Sequence, residues 1–512
     1  MSDPYSKPQK LVRDAVVGMA ARLCYLVSRV AMAPILLSFI SLQELGVWSL
    51  CFAILSYVAL GGFGLHSAYI QLTSRFHAAS DFEAVRKLLG TGVSLTVCLG
   101  SLGFGVMVMI LPVLIQWLNI EAGLADPAKF LILGTTLCFL LDMALGSFRS
   151  ALEGFHEISL VKQVQTAVAL VEVVLILVFL HLGFGLYGLL YAYALRIVLE
   201  GLVFYLLLRR RMQGGVLRIC WDRDVLREFM VFGGQVQVSG AVGMVTSSLD
   251  RLWITRLVGL QATGVFELAR KFPFTAKSLS GAAFGSFLPL AARLSKDGSD
   301  EAMGPLYLGG TRNISLFNAC LFVFLIAAQG PLIEVWLGSN TDGIAAVMAY
   351  LAVSYFIQQL TGPAVLIFRG MKQVCKEWFF VMPHFLLLLV GLPLGVHFGG
   401  TEGAALAIVL GTSVAAGLLL HQANSSFSVS WQELAAKVLA PSLLPVVPGV
   451  FVWMGLGLFE GEARLVLLMA VVSSGLLYVL ACVGLYWVLV LTDEEKEVVA
   501  SMAQRAGAYV KA

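Results

Sequence analysis

The chain has 512 residues, of which 59% are apolar and only 13% charged, about half the charged share of an average soluble protein. Its 34 basic and 31 acidic side chains leave a formal net charge of +3. This composition excludes a soluble enzyme, a nucleic-acid binder and a disordered scaffold, and predicts an all-α polytopic membrane protein.

A span needs ~20 apolar residues to cross ~30 Å of hydrocarbon. In chain order, such segments occur at 11–40, 45–70, 88–116, 129–153, 160–182 and 185–208. After a basic stretch they resume at 228–258, 263–292, 305–329, 344–369, 377–398 and 401–422, and finally at 437–457 and 464–490. Fourteen transmembrane helices are therefore expected. Continuous apolar runs of this length also exclude a β-barrel, whose strands alternate over ~10 residues. Lys7, Lys10 and Arg13 lead directly into an apolar stretch too long for a signal-peptide core, so no cleaved leader is expected.

Lys and Arg cluster in one set of loops, among them Arg75, Arg86, Arg209, Arg210, Arg211, Arg218, Lys296, Lys372 and Lys376, while the loops near 41–44, 183, 330–343 and 399–403 hold none. By the positive-inside rule, both termini face the cytoplasm. From Thr492 the tail opens with a capping-box pattern, Thr492 and Glu495, and predicts a short amphipathic helix. The eight cysteines stand singly, without metal-ligand spacing, so neither a metal site nor a cofactor is expected.

Self-comparison exposes a repeat. Leu42-Gln43 followed by Gly46-Val47-Trp48 recurs as Leu260-Gln261 followed by Gly264-Val265-Phe266, an offset of 218. Glu83-Ala84 with Leu88 recurs as Glu301-Ala302 with Leu306, Phe148-Arg149 as Phe368-Arg369, and His181, Gly183 and Gly201 as His397, Gly399 and Gly417. The matches keep their order, so the expected organisation is an N-lobe at 1–208, a cytoplasmic basic linker at 209–227 and a C-lobe at 228–424. An appended helix pair at 425–490 and a cytoplasmic tail at 491–512 would follow. Six helices per lobe give both lobes one orientation, the parallel-repeat arrangement of transporters, with substrate expected between them. Because each lobe supplies half of such a pathway, a monomer is expected to suffice.

Ser41-Leu-Gln-Glu-Leu-Gly-Val-Trp48, Leu249-Asp-Arg-Leu-Trp-Ile-Thr-Arg-Leu-Val-Gly259, Gly264-Val-Phe-Glu-Leu-Ala-Arg270 and Val335-Trp-Leu-Gly338 resemble the polysaccharide-transporter branch of the multidrug/oligosaccharidyl-lipid/polysaccharide (MOP) flippase superfamily. The resemblance covers essentially the whole chain. It implies a V-shaped pair of six-helix bundles in the bacterial inner membrane. That protein would move an undecaprenyl-pyrophosphate-type lipid-linked oligosaccharide across the bilayer by alternating access, for surface polysaccharide synthesis. The implied partners are that substrate, membrane lipids, an H⁺ or Na⁺ coupling ion and the polysaccharide polymerase machinery.

Ionisable groups within membrane helices are expensive and mark function by default. The repeat helices hold Arg22, Arg29, Arg149, Lys162, Arg196, Arg251, Arg256, Arg270, Lys271, Lys277 and Arg312 against Asp142, Glu153, Glu172, Glu200, Asp250 and Glu267, a cationic excess. Some have an acid one turn away, which reads as a structural pair: Arg149 with Glu153, Arg196 with Glu200, and Glu267 with Arg270 or Lys271. Arg256, Lys162 and Arg312 lie near span ends, where they can snorkel to the interface.

Arg22 and Arg29 share one face of the first span, about 10.5 Å apart along it, and Arg270 and Lys277 have the same spacing. Together with Arg251 and Lys271 they are the expected pyrophosphate site, since guanidinium forks suit phosphate oxygens. Gln235, Gln237, Gln358 and Gln359 are candidate sugar contacts, or else interhelical glue. Asp142, Glu172 and Asp250 are candidates for ion coupling. Those acids keep open a multidrug or cation antiporter of the same superfamily. A membrane glycosyl polymerase or ligase is disfavoured, because the outward loops near 117–128 and 330–343 carry no His-carboxylate constellation. Pro34, Pro273, Pro289, Gly362-Pro363, Pro383, Pro393 and the Gly61-Gly62-Phe63-Gly64 stretch are the expected helix breaks.

Overall fold

The structure is a computed structural model that describes residues 27–497 apart from 29, 63, 213–214, 217–219, 282–286, 297–301, 339–342 and 460. The regular elements formed by the described residues are all helical. Among them nine helices are long and apolar enough to cross a membrane, and Leu42–Val58 is a shorter apolar helix. The fold is thus that of an all-helical, multi-pass membrane protein. Apolar side chains such as Met109, Phe398 and Leu458, each at least 80% exposed, fit surroundings of lipid instead of water.

Local chemistry sets the helix starts. Ser41 Oγ accepts from the Glu44 backbone N–H at 3.2 Å and the Glu44 carboxylate accepts from the Ser41 N–H at 2.7 Å, a complete capping box ahead of Leu42–Val58. Asp81 caps Phe82–Trp117 through the Ala84 N–H at 2.9 Å. In the tail the Thr492 N–H donates to Glu495 at 3.0 Å and the Glu495 N–H to Thr492 at 3.4 Å, so the expected box is formed there too.

Two compact units divide the chain, Met1–Leu268 with Phe385–Ala407 and Ala269–His384 with Ile408–Ala512. The helix Arg223–Leu257 therefore packs with the N-terminal helices. In the first unit, Phe82–Trp117, Ala122–Gly154, Ile158–His181 and Gly185–Arg211 are long helices whose shared core includes Tyr69, Leu88, Phe148, Phe204 and Phe229. The span expected at 45–70 is two helices, Leu42–Val58 and Leu65–Ala78, separated by a 3₁₀ turn at Ala59–Gly62 where the glycine stretch begins. Arg223–Leu257 runs on to Leu260–Ala269.

Here the two words that recur in sequence meet in space. A β-carbon on Gly46 would collide with the Leu260 carbonyl, and one on Gly264 with the Leu42 carbonyl. Ser49 and Glu267, also 218 residues apart, share a 3.0 Å hydrogen bond.

In the second unit, Tyr307, Phe368, Leu419 and Phe427 centre one core, while Ala328, Val452, Tyr478 and Cys482 centre another. The predicted span 263–292 is segmented, with Lys271–Ser280 and Phe287–Lys296 as separate ten-residue helices. Trp378–Phe427 keeps helical dihedrals through Pro383 and Pro393 and departs from them only at Gly399 and Gly400, the latter at φ 54° and ψ −133°. The expected breaks at the two prolines are not seen, whereas the one at the glycine pair falls where the sequence placed a loop, at 399–403, and Gly400 adopts backbone dihedrals closed to other residues. Ahead of Pro441, which lacks an N–H for the ladder, the helix widens into a π-turn over Ala435–Leu439.

Candidate functional site

Within the first unit, two buried carboxylates lie on neighbouring helices. Glu172 on Ile158–His181 and Glu200 on Gly185–Arg211 are 5% and 4% exposed, and such acids persist inside apolar bundles only when paired. Arg196 supplies the pairing. Its Nη1 donates to Glu200 at 2.7 Å, one turn along its own helix, and its Nε lies 3.8 Å from Glu172 on the neighbouring helix. Asp142, half-buried, adds its charge to the same group.

Arg149 on Ala122–Gly154 approaches Glu200 from the other side at 3.6 Å. Glu153, expected from its i,i+4 spacing to pair with Arg149, instead faces His66 Nε2 at 3.4 Å and Lys162 at 4.0 Å. His66 Nδ1 in turn lies 2.6 Å from Ser150 Oγ. Beside Arg196, whose guanidinium stands 5.2 Å over the Tyr193 ring, Trp48, Phe52 and Tyr193 form an edge-to-face aromatic trio. The arrangement presents partly exposed cations over buried acids that hold them in place.

Nearer the repeat contact, Arg251 is tied down. Its Nε lies 3.7 Å from Glu267 and its Nη1 donates to the Ser49 carbonyl at 3.5 Å, while the adjacent Asp250 accepts from the Arg251 backbone N–H at 2.8 Å.

Of the residues expected to hold phosphate and sugar, the second unit brings three together. Lys277, on Lys271–Ser280, donates to the Gln358 side-chain oxygen at 2.6 Å, and its ammonium sits 4.8 Å above the Tyr355 ring. Gln359 donates to the Lys277 carbonyl at 3.2 Å and to Ser280 Oγ. These partners of the ammonium, an amide oxygen and an aromatic face, carry no formal charge. One turn along Ile344–Leu360 from Gln358, Ser354 bonds Thr412 at 2.9 Å, and Thr412 bonds His384 Nε2 at 3.2 Å. Arg270 marks the junction before Lys271–Ser280, its guanidinium 5.7 Å over Phe274; Lys271 opens that helix.

Arg22, Arg29 and the side chains of Gln235 and Gln237 lie outside the described residues. His66, Ser150, Tyr355 and His384 were not singled out from the sequence, because each contacts its partners across helices; a polar residue on an otherwise apolar helix face was the one signal available. Among the described residues no group of three or more His, Cys, Asp or Glu could hold a metal ion.

A family profile described as "Polysaccharide biosynthesis protein" matches residues 35–346, well over half of the chain. Among solved structures, an inward-facing multidrug resistance MATE family transporter of the MOP superfamily aligns at a TM-score of 0.69 and 16% identity, covering 81% of this chain and 98% of its own. The Lipid II flippase MurJ, in an inward closed conformation, aligns at 0.69 and 13% identity, covering 93% and 99%. A mutant of the Vibrio cholerae MATE transporter VcmN aligns at 0.58 and 15% identity, covering 83% and 99%. At these identities the likeness is one of fold. No curated protein matches the chain.

Proposed function

Because the chain belongs to the polysaccharide biosynthesis protein family, we propose that it is a flippase that carries a polyprenyl-pyrophosphate-linked oligosaccharide across the bacterial cytoplasmic membrane by alternating access. The fold alone does not choose a substrate, since the alignment to the Lipid II flippase and that to the multidrug transporter score equally at 0.69. The observation that carries the reading is Lys277. An ammonium inside an apolar bundle, held by an amide oxygen and a ring face, is expensive without a counter-charge. A pyrophosphate supplies that charge during transport.

In this reading Lys277, Arg270, Lys271 and Arg251, with Arg22 and Arg29 from the first span, hold the anionic linkage, and Gln358 and Gln359 face sugar hydroxyls, as would Gln235 and Gln237. Trp48 and Phe52, half-buried beside Tyr193, offer ring faces to the glycan. Asp142, Glu172 and Asp250 are the acids through which an H⁺ or Na⁺ gradient acts. Both termini lie in the cytoplasm, and one chain suffices for transport.

The test is flipping of a fluorescent lipid-linked oligosaccharide in proteoliposomes. Lys277→Arg should keep part of the activity and Lys277→Met should lose most of it, with folded yield compared in the same samples; a charged hydrogen bond of this kind is worth ~1.5–3 kcal/mol. Wild-type flipping by well-folded Lys277→Met removes this residue from the pathway. Export of an organic cation with no flipping would instead select the antiporter.

A further inference from the structure

Away from these charges, the second unit contains a cavity of ≈ 710 Å³. It lies where the helix Met303–Ala327 begins, where Trp378–Phe427 ends and where Trp431–Gly457 starts. Leu308 and Gly309 form one wall, Phe427 and Ser428 another, and the charged side is made by Arg312, Lys437 and Glu433. Gly309 opens onto free space, since a β-carbon there would meet nothing within 4 Å.

The ends of three helices apolar and long enough to cross a membrane meet at the cavity. Lys376, near the mouth, donates to Ser426 Oγ at 2.8 Å. Trp431, 45% exposed and stacked on His421 at 6.4 Å, has the amphipathic ring that favours headgroup depth. Two and six residues beyond Lys437, Leu439 and Leu443 are 36% and 66% exposed and offer apolar surface to a lipid chain.

Arg312 and Lys437, in a recess with apolar walls that Glu433 also lines, supply the cations of an anionic lipid site. Their present partners do not close it. Lys437 pairs with Glu433 at 3.1 Å, but the two side chains are 55% and 46% exposed, and such pairs hold little. Arg312 is more enclosed, at 19% exposure. Its Nη1 and Nη2 donate to the two Glu495 carboxylate oxygens at 2.9 and 3.1 Å, and Nη2 also donates to the Val490 carbonyl at 2.6 Å. A guanidinium carries five donors in a planar fork that fits carboxylate and phosphate alike. The tail carboxylate therefore occupies, from within the chain, a position that a phosphate oxygen pair fits.

We propose that this cavity binds the phosphate headgroup of an anionic phospholipid through Arg312 and Lys437, and that Glu495 of the tail competes with that headgroup for the guanidinium. The site is independent of Lys277 and of the substrate reading. Its consequence is that lipid binding releases the tail helix from the unit.

The experiment is retention of phosphatidylglycerol against phosphatidylcholine by the full-length protein in detergent, read by native mass spectrometry, with inorganic phosphate as a separate arm. Phosphatidylglycerol should be retained at least several-fold better. Gly309→Leu, which fills the recess and leaves every charge in place, should reduce its retention to the phosphatidylcholine level, and Arg312→Met should do the same. Glu495→Gln should raise retention by removing the competitor. Equal retention of both lipids, or full phosphatidylglycerol retention by folded Gly309→Leu, overturns the proposal. If millimolar inorganic phosphate displaces the lipid completely, the site is one for free anions and the lipid assignment is overturned. Should Arg312→Met fail to fold, Gly309→Leu and Glu495→Gln decide between these outcomes.

Discussion

Gly46 packs so closely on Leu260 that a β-carbon would collide with the Leu260 carbonyl oxygen, and Gly264 stands in the same relation to Leu42. Each glycine lies four residues after its own leucine, and the two pairs are 218 residues apart. Because the obstructing atoms are backbone, a side chain cannot rotate out of the way. Gly46→Ala and Gly264→Ala should each destabilise the protein by ~1–3 kcal/mol, the usual cost of overpacking, and by similar amounts. Unfolding in mixed micelles measures this, and wild-type stability in either variant would show that the contact yields.

Arg196 and Glu200 are joined at 2.7 Å, with both side chains at least four-fifths buried and with Arg149 and Glu172 as further partners. Glu200→Leu leaves two guanidiniums short of a carboxylate and should cost ~2 kcal/mol. Adding Arg196→Met should recover part of that loss, because breaking a buried pair costs more than replacing it with apolar groups. A double-mutant cycle checks this; strictly additive losses would mean the pair is not coupled.

Glu495 is held below the usual carboxylate range by the Thr492 backbone N–H and by Arg312. A depressed native pKa adds stability that is present above the free-chain value, about 4.3, and is lost as pH falls through the lower folded value. Tail docking should therefore be constant at neutral and mildly acidic pH and weaken only at pH below about 4. Hydrogen exchange of residues 493–497 reports it. The Glu495→Gln variant should show high exchange with no such acid transition, and a wild-type release centred near pH 6 would point to another group.

The proposed topology places Ala79 on the cytoplasmic side and Glu121 outside, both exposed in the structure. In a background without accessible native cysteines, Glu121→Cys should react with an impermeant maleimide in intact cells and Ala79→Cys only after permeabilisation. The reverse pattern would invert the chain in the membrane.

The long apolar helices among the described residues and the capping box at Thr492 were legible in the sequence, because each answers to a local demand. A stretch of ~20 residues either satisfies lipid or does not, and a cap needs only its own first turn. Glu495 could therefore be assigned by counting three residues from Thr492. Even the contact of Gly46 with Leu260 had a trace in sequence, in the words that recur at an offset of 218. The i,i+4 pair of Arg196 and Glu200 was also legible, but which charges neutralise one another between helices only the tertiary structure decided. Arg149 meets Glu200 on a different helix, Arg251 meets Glu267, and Arg312 finds its acid 183 residues away in the tail. An i,i+4 count sees one face of one helix, whereas in a bundle the cost of a buried charge is met by whichever neighbouring helix brings an acid within ~4 Å. Lys277 shows the same limit from the other side: its neutral partners Gln358 and Tyr355 are 81 and 78 positions away, and only packing reveals that this cation rests on an amide and a ring.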